Sequence, residues 1–497
     1  LLNDASRGVA SAIVLAATLV SISILTTCPA CRARESEVRG SLWSTDLLNT
    51  DLGATVLDAR LDAEVEFGHF TLGGAYRGYH LSDKRYNPRG IEGPQPVMKH
   101  RYAEMRFEKL GNAGSVFARA GHFFATWDRG LTLRSFEDID LEKDTALDGI
   151  LGECAIGNLK VTGLSGKMTE RINDIQYNEH SVSGGRIAVS REGLFSFAAS
   201  GLVRQTERHD RQRDLPANLR QFDDTVLGSE AELWLSALHL AGDYTYREGD
   251  YYLGHGLYLS GTLSSRWLTV LSEYKDYRRF ANPLVNPPTC VREHVWILMN
   301  RATHQVDLTD ERGYLVEGTL TAFDKMPIIG SASEARKHNG DLAHWEMFGQ
   351  VDRAISGSVN ASLGGSWSRE YAAGGLTEYK TGMVETEITP ESGRGIELGF
   401  GVQKEQAHPE EPYGNYLVSG TFYPHEAVTL SAVAEATTQK GLKRDRWAFG
   451  EVRVNMGEGL DASVGFGTER GGKKCSGGVC YTEPEFAGVR LTFSKSF

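Results

Sequence analysis

The chain has 497 residues, 40% hydrophobic and 24% charged, with 56 Gly against 14 Pro and six Cys. Its 53 basic and 65 acidic residues give a formal net charge of -12, and mean hydropathy is -0.32. These values argue against bulk-charge binding to a nucleic-acid backbone, a disulfide-built scaffold, a disordered chain and a helical membrane bundle. They leave about three soluble domains or one very large β architecture.

In chain order, the first element is apolar: Gly8 to Thr27, preceded by Arg7 and followed by small residues up to the polar turn at Arg32. A positive flank, an apolar middle and a small-residue exit predict a secretory signal peptide over 1–33, with a mature domain over 34–497. Cleavage after Ala30 and retention as a membrane anchor are the alternatives. Thr27 is large for the position before a lipidated Cys28, and Cys28-Pro29-Ala30-Cys31 has redox spacing but no fold around it.

After residue 34 helical periodicity gives way to period-2 alternation, the pattern of strands with two unlike faces. Val359, Ala361, Leu363, Gly365 and Trp367 alternate with Asn360, Ser362, Gly364 and Ser366. Ile396, Leu398, Phe400 and Val402 alternate with Glu397, Gly399, Gly401 and Gln403, and Val428, Leu430, Ala432, Ala434 and Ala436 with Thr429, Ser431, Val433 and Glu435. Counting similar segments gives 20–24 strands, with weak candidates at 38–46 and 291–300. Short turns such as Gly157-Asn158 and Ser356-Gly357 join pairs of strands. Longer polar loops, at 82–98, 126–145, 207–226, 279–290, 322–341, 371–378, 406–413 and 470–483, join the pairs to one another. That rhythm predicts a transmembrane antiparallel up-and-down β-barrel with short periplasmic turns and longer outer loops. Tyr76 and Tyr79, Tyr244 and Tyr246, Tyr251 and Tyr252, and Tyr274 and Tyr277 fit interfacial girdles or the ordinary strand preference for aromatics.

The C-terminus agrees. Val489, Leu491 and Phe493 alternate with polar residues up to the terminal Phe497, which resembles the assembly signal of bacterial outer-membrane barrels; Lys495 departs from the apolar pattern. Outer-membrane lipid and the barrel-assembly machinery are the partners this implies.

The stretch Gly121 to Gly149 carries the most chemistry. Asp138, Asp140, Glu142 and Asp144 recur with period 2, so an extended backbone lines them along one side, with Glu137 beside them and Arg129, Arg134 and Lys143 nearby. Three readings stand: a loop folded into the lumen that shapes the field across a pore, an oxygen-rich Ca²⁺ site, or a solvated outer loop held by its own ion pairs. The spacing fits no EF-hand. With Asn300 to Tyr314, this stretch resembles an uncharacterised family of bacterial outer-membrane barrel proteins, a domain of unknown function. The resemblance rests on Gly121 and Phe123, Gly130-Leu131, Arg134-Ser135, Glu137 and Leu147-Asp148-Gly149. It implies barrel architecture and outer-membrane location and carries no substrate.

Enzyme motifs fail. Gly166-Lys167 is followed by Met168, so there is no phosphate loop, and neither HExxH nor a Gly-x-Ser-x-Gly elbow occurs. His122, Asp128 and Ser135 are the remaining hydrolase candidates. Cys475 and Cys480, separated by Ser476-Gly477-Gly478-Val479, predict a small disulfide in an oxidising compartment, while Cys154 and Cys290 are expected to be free thiols. No cofactor and no metal site is predicted. The expected function is a pore or conduit for small solutes or ions, with a blocked barrel serving surface attachment or envelope organisation as the second reading and an outer-membrane hydrolase as the third.

Overall fold

The computed structural model describes residues 36–497 except 52, 83–94, 111–113, 140–142, 172–175, 211–220, 251, 293–303, 305, 322–325, 373–374, 390–393 and 477–478. The expected leader at 1–33 lies outside these residues.

One antiparallel sheet of 24 strands dominates, from Ser36–Asn49 to Phe486–Ser496. Each strand pairs with its neighbours in sequence, and the first pairs with the last, from Ser41 opposite Ser496 to Asn49 opposite Gly488. The sheet is therefore closed, and every ladder has a partner on both sides. Strands run from nine residues (Ile328–Arg336) to sixteen (Gln95–Leu110), at or above the 9–11 that a tilted strand needs to cross hydrocarbon.

The period-2 pattern becomes two faces of the wall. Ile150, Ile187, Val203, Leu227, Leu363, Leu398 and Phe466 point outward and remain 50–62% exposed. An apolar belt of this extent is unfavourable in water and is stabilised by lipid. Inward, the same strands carry Glu153, Arg186, Ser200, Arg204, Asp224, Ser362 and Gln403, and the neighbouring strand Leu238–Gly249 carries Asp243. A closed barrel, apolar outside and polar inside, is the architecture of bacterial outer-membrane proteins.

The loop rhythm holds in broad terms. All the longest connections, including 82–94, 124–146, 279–309 and 470–485, lie at the end opposite Ser36 and Ser496. Two expected loops are shorter than their sequence suggests. The stretch 322–341 contains the strand Ile328–Arg336, where Gly330, Ser331, Ala332 and Ser333 put small residues on both faces and hide the alternation. The stretch 371–378 is a tight connection between Val359–Ala372 and Gly375–Ile388, whose polar ends continue the ladder beyond the apolar belt. The weak candidate 38–46 is the strand Ser36–Asn49. At 291–300, residues 291–292 are irregular and the rest lie outside the described residues.

The closing seam explains the anomalous end of the last strand. Gly40 and Phe497 exchange backbone hydrogen bonds of 2.8 and 3.0 Å. The Phe497 ring covers Gly40 so closely that a Cβ there would lie 2.5 Å from the ring. Lys495 breaks the apolar alternation because its ammonium donates to the Glu458 carbonyl in the adjacent turn. The tyrosine pairs divide. Tyr76, Tyr244 and Tyr274 face outward, whereas Tyr79 and Tyr277 are buried inside. Tyr251 and the Tyr252 side chain lie outside the description.

Candidate functional site: two segments folded into the barrel

The segment 124–146 connects the strands Gly114–Phe123 and Leu147–Ile156. Two short arms shape it: Thr126–Trp127 pairs with Leu133–Arg134, and Glu137–Asp138 with Lys143–Asp144. Between the first pair of strands the backbone makes a left-handed turn, with φ of 51° at Asp128, 46° at Arg129 and 87° at Gly130. Non-glycine residues occupy that region only where their surroundings hold them there.

The holding groups come from the inner wall. Arg129 pairs with Asp243 at 2.5 Å and with Glu232. Asp128, 1% exposed, accepts from the hydroxyls of Thr132 and Ser200 and faces Arg186 Nε at 3.6 Å. The wall leaves room at Gly228, where a Cβ would collide with Thr132 and Asp128. At the other end, Glu137 accepts two bonds from Arg60, at 2.5 and 2.9 Å, and Asp144 meets His100 Nε2 at 3.1 Å. The segment thus spans from the wall near Arg60 and His100 to the wall near Ser200 and Asp243.

The predicted site residues are placed accordingly. Arg129, Glu137 and Asp144 bond to the wall. Arg134 donates to the Asn286 carbonyl at 3.2 Å and lies over the Phe136 ring, and Lys143 approaches the same ring from 5.8 Å. Asp138 lies opposite Lys143 in the second arm, while Asp140 and Glu142 lie outside the described residues. Burial draws Lys143 and Arg134 below their ordinary values. Burial pushes Asp144 up, but the hydrogen bond and charge of His100 outweigh it and leave the carboxyl lowered. The hydrolase candidates do not converge. Asp128 is held by Thr132 and Ser200, Ser135 Oγ accepts from the Ala125 N–H at 2.9 Å, and the His122 ring lies against the Arg101 carbonyl.

A second inward segment, described at 279–292, 304 and 306–309, was expected in part as a polar loop at 279–290. Buried wall charges fasten it. Arg247 donates to the carbonyls of Phe280 and Ala281 at 3.2 and 2.7 Å and to Asp224 at 2.9 Å. Lys275 donates to the Thr289 carbonyl and to Glu311, each at 2.5 Å. Glu311 also accepts from the Asp307 N–H at 2.9 Å and lies 3.1 Å from His304 Nε2. Tyr277 OH donates to the Pro288 carbonyl at 2.8 Å. Buried charges are tolerable when every one has a partner, and these pair with each other and with segment carbonyls.

The two segments interlock. The Arg134 N–H donates to Leu284 O at 2.7 Å, and the Asn286 N–H to Gly130 O at 3.1 Å. Leu284 joins an apolar cluster with Phe123, Trp127, Leu133, Leu147 and Leu202. Leu131 enters the other cluster, with Tyr277, Phe280, Val285, Cys290 and Leu315. The available sequence signal was composition: Trp127, Leu131, Leu133, Leu284 and Val285 are too apolar for solvated loops. Arg247, Lys275 and Glu311 gave none, because single charges on alternating strands look like any lumen residue.

Burial of the wall is uneven. On the strands between Leu159 and Leu320 the inward residues Leu164, Met168, Val182, Leu202, Arg204, Val226, Thr245, Lys275 and Leu315 are all buried. On the strands between Leu342 and Thr437, His344, Met383, Gln403, Asn415 and Leu417 are buried, but Gln350, Asp352, Thr381, Glu385, Glu387 and Glu397 stay partly or fully accessible. Asp352, Glu385, Glu387 and Glu397 line one cavity near the turn end of this side.

Among curated proteins none matches the chain. Solved structures that resemble it are barrels. The translocation pore of the P pilus usher PapC is 10% identical, with 93% of this chain and 99% of that one covered and a TM-score of 0.45. The copper transporter OprC is 11% identical, with 94% and 83% covered and a TM-score of 0.47. The siderophore receptor PirA of Pseudomonas aeruginosa is 7% identical, with 94% and 81% covered and a TM-score of 0.46. A family match extends over residues 56–334, more than half of the chain and including both inward segments, and the protein belongs to this family of unknown function, DUF6029.

Proposed function

We propose that the protein is a pore or conduit for small solutes or ions in the bacterial outer membrane, with a lumen narrowed from one side by the two inward segments. The uneven burial of the wall carries this reading. Many inward residues on the strands between Leu159 and Leu320 are covered by the two segments, while the inward carboxylates Asp352, Glu385, Glu387 and Glu397 keep contact with solvent. A barrel of this strand number is too wide for wall side chains alone to fill.

Charge gives the conduit a cation preference. The run Asp138, Asp140, Glu142 and Asp144 outnumbers Arg129, Arg134 and Lys143. Glu137 and Asp144 spend part of their field on Arg60 and His100, so the wall carboxylates Asp352, Glu385, Glu387 and Glu397 contribute alongside the segment. Confined water screens such charges weakly. The interlocked segments also support the second reading, a barrel with a blocked lumen serving attachment.

Purified, folded protein in a planar bilayer separates the two. Steady conductance with a reversal potential on the cation side is expected. Joint neutralisation of Asp138, Asp140 and Glu142 should reduce that selectivity, and Glu385→Gln with Glu397→Gln should reduce it further. Silence from well-folded protein would favour the attachment reading; conductance indifferent to both sets of substitutions would keep the pore and discard the charge assignment.

A further inference from the structure

Three side chains from separate parts of the chain meet where the second inward segment reaches the accessible wall. His304 belongs to the segment; His344 and Glu370 belong to the adjacent strands Leu342–Ser356 and Val359–Ala372, where they face each other as cross-strand partners. His304 and His344 are 4% and 2% exposed, and their rings stack with centroids 4.8 Å apart. One ligand atom from each of the three residues lies within 4.8 Å of the others.

The hydrogen-bond accounting leaves this cluster unfinished. Among the described residues, neither ring nitrogen of His344 has a hydrogen-bond partner, and His304 Nδ1 has none either. Buried imidazoles in native proteins are almost always paired, because an unmet polar atom there has given up water and gained nothing in return. His304 Nε2 is different: it lies 3.1 Å from Glu311, which is itself fixed by Lys275 and the Asp307 N–H. A carboxylate on Nε2 makes that nitrogen the proton carrier and turns the Nδ1 lone pair towards Glu370, whose Oε1 is 3.6 Å away. That distance is too long for a hydrogen bond and close to the ~3.4 Å edge between two ligands bonded at ~2.1 Å to one tetrahedral ion. A histidine whose far nitrogen is held by a carboxylate is the usual support for a metal-bound imidazole.

We propose that His304 Nδ1, a ring nitrogen of His344 and the Glu370 carboxylate bind a first-row divalent cation, with Zn²⁺ the best match to two imidazoles and one carboxylate. The ion satisfies two of the three orphan nitrogens, His304 Nδ1 and one of His344, and the carboxylate offsets part of its charge. It also staples the second segment to the strands Leu342–Ser356 and Val359–Ala372, beside the Lys275–Glu311 anchor that His304 already touches. Sequence spacing could not reveal the site, because its ligands stand 40 and 26 positions apart with no local motif. The assignment is independent of whether the barrel conducts.

The test uses the full, untagged chain in detergent micelles, stripped with EDTA. Co²⁺ titration should give visible d–d absorption saturating at one equivalent, and Zn²⁺ should displace it and raise the melting temperature. His304→Ala, His344→Gln and Glu370→Gln should each abolish the saturable band and the thermal shift. Glu311→Gln should weaken binding about 10–100-fold while leaving the stoichiometry at one. His425→Ala, far along the chain in another strand, should change nothing. Heat-dependent electrophoretic mobility identifies which variants are folded; Glu370→Gln and His344→Gln preserve side-chain volume, so the outcome does not rest on the alanine variant. Absence of a one-equivalent site in folded wild-type protein, or unchanged Co²⁺ binding in folded Glu370→Gln and His344→Gln, would overturn the assignment.

Discussion

Cys290 sits in the second inward segment at 3% exposure, packed with Tyr277, Phe280, Val285 and Leu315. Burial pushes its thiol from 9.0 up to about 12, and the nearby Lys275 offsets only part of that. Only the thiolate is an effective nucleophile, so iodoacetamide at pH 8 should leave Cys290 nearly unmodified in the folded barrel and label it quickly after denaturation. The sign for stability follows. The neutral thiol's contribution is intact below pH 9.0 and is lost as pH rises from there towards 12, because the unfolded chain ionises first. Equal labelling rates in folded and unfolded protein, read by peptide mass spectrometry, would contradict the packing of this segment. The other thiol question concerns Cys475 and Cys480. They lie opposite each other in the small hairpin of Gly472–Ser476 and Val479–Glu483, and direct cross-strand partners have a Cα separation that a disulfide can span. A bridge here closes a very short loop, so its stabilisation should stay at or below ~3 kcal/mol. An unreduced peptide covering 473–483 should lack two hydrogens; free thiols on both residues in protein purified from an oxidising compartment would exclude the bridge.

Elements were legible in the sequence to the degree that one face stayed apolar. The strands around Leu363, Leu398 and Leu430 announced themselves because their outward residues are large and their inward residues polar. Ile328–Arg336 did not, because a strand of small residues satisfies the ladder without showing two faces. The inward segments were half legible. The charges at 126–145 drew attention, but their direction depends on partners more than 60 positions away, such as Arg60 for Glu137 and Asp243 for Arg129. No local pattern encodes a partner at that distance. The second segment rests on Lys275 and Glu311, both fully buried. Lys275→Met would leave the Glu311 carboxylate without its cation and the Thr289 carbonyl without its donor. Removing one partner of a buried pair costs about 3–5 kcal/mol. The cost should fall on the segment rather than the barrel. Limited proteolysis within 279–309 should therefore accelerate while the heat-dependent mobility of the barrel is retained. Loss of the folded barrel form itself would instead assign Lys275 to the wall.

At the scale of the whole molecule the decisive feature is that inside and outside differ along most strands while the backbone is saturated all the way round. Closure by the first and last strands removes the edges that would otherwise recruit another chain, and Phe497 over Gly40 completes that seam. The two faces can then be tested at adjacent residues of one strand. In Val428–Thr437, Ala432 points outward and is exposed, whereas Ser431 points inward and is half-buried. A charge carried into hydrocarbon loses its water without gaining a partner, while one carried into the lumen keeps both water and nearby carboxylates such as Glu451, which lies directly across from Ser431. Ala432→Arg should thus cost about 2–4 kcal/mol in equilibrium unfolding from lipid vesicles if it lies near the midplane, and Ser431→Arg much less. The same pair in a soluble two-sided sheet would show no such asymmetry, since both faces would meet either water or protein. Equal costs at the two positions would therefore contradict a lipid-facing outer wall, and a reversed order would mean that the register of this strand is off by one residue.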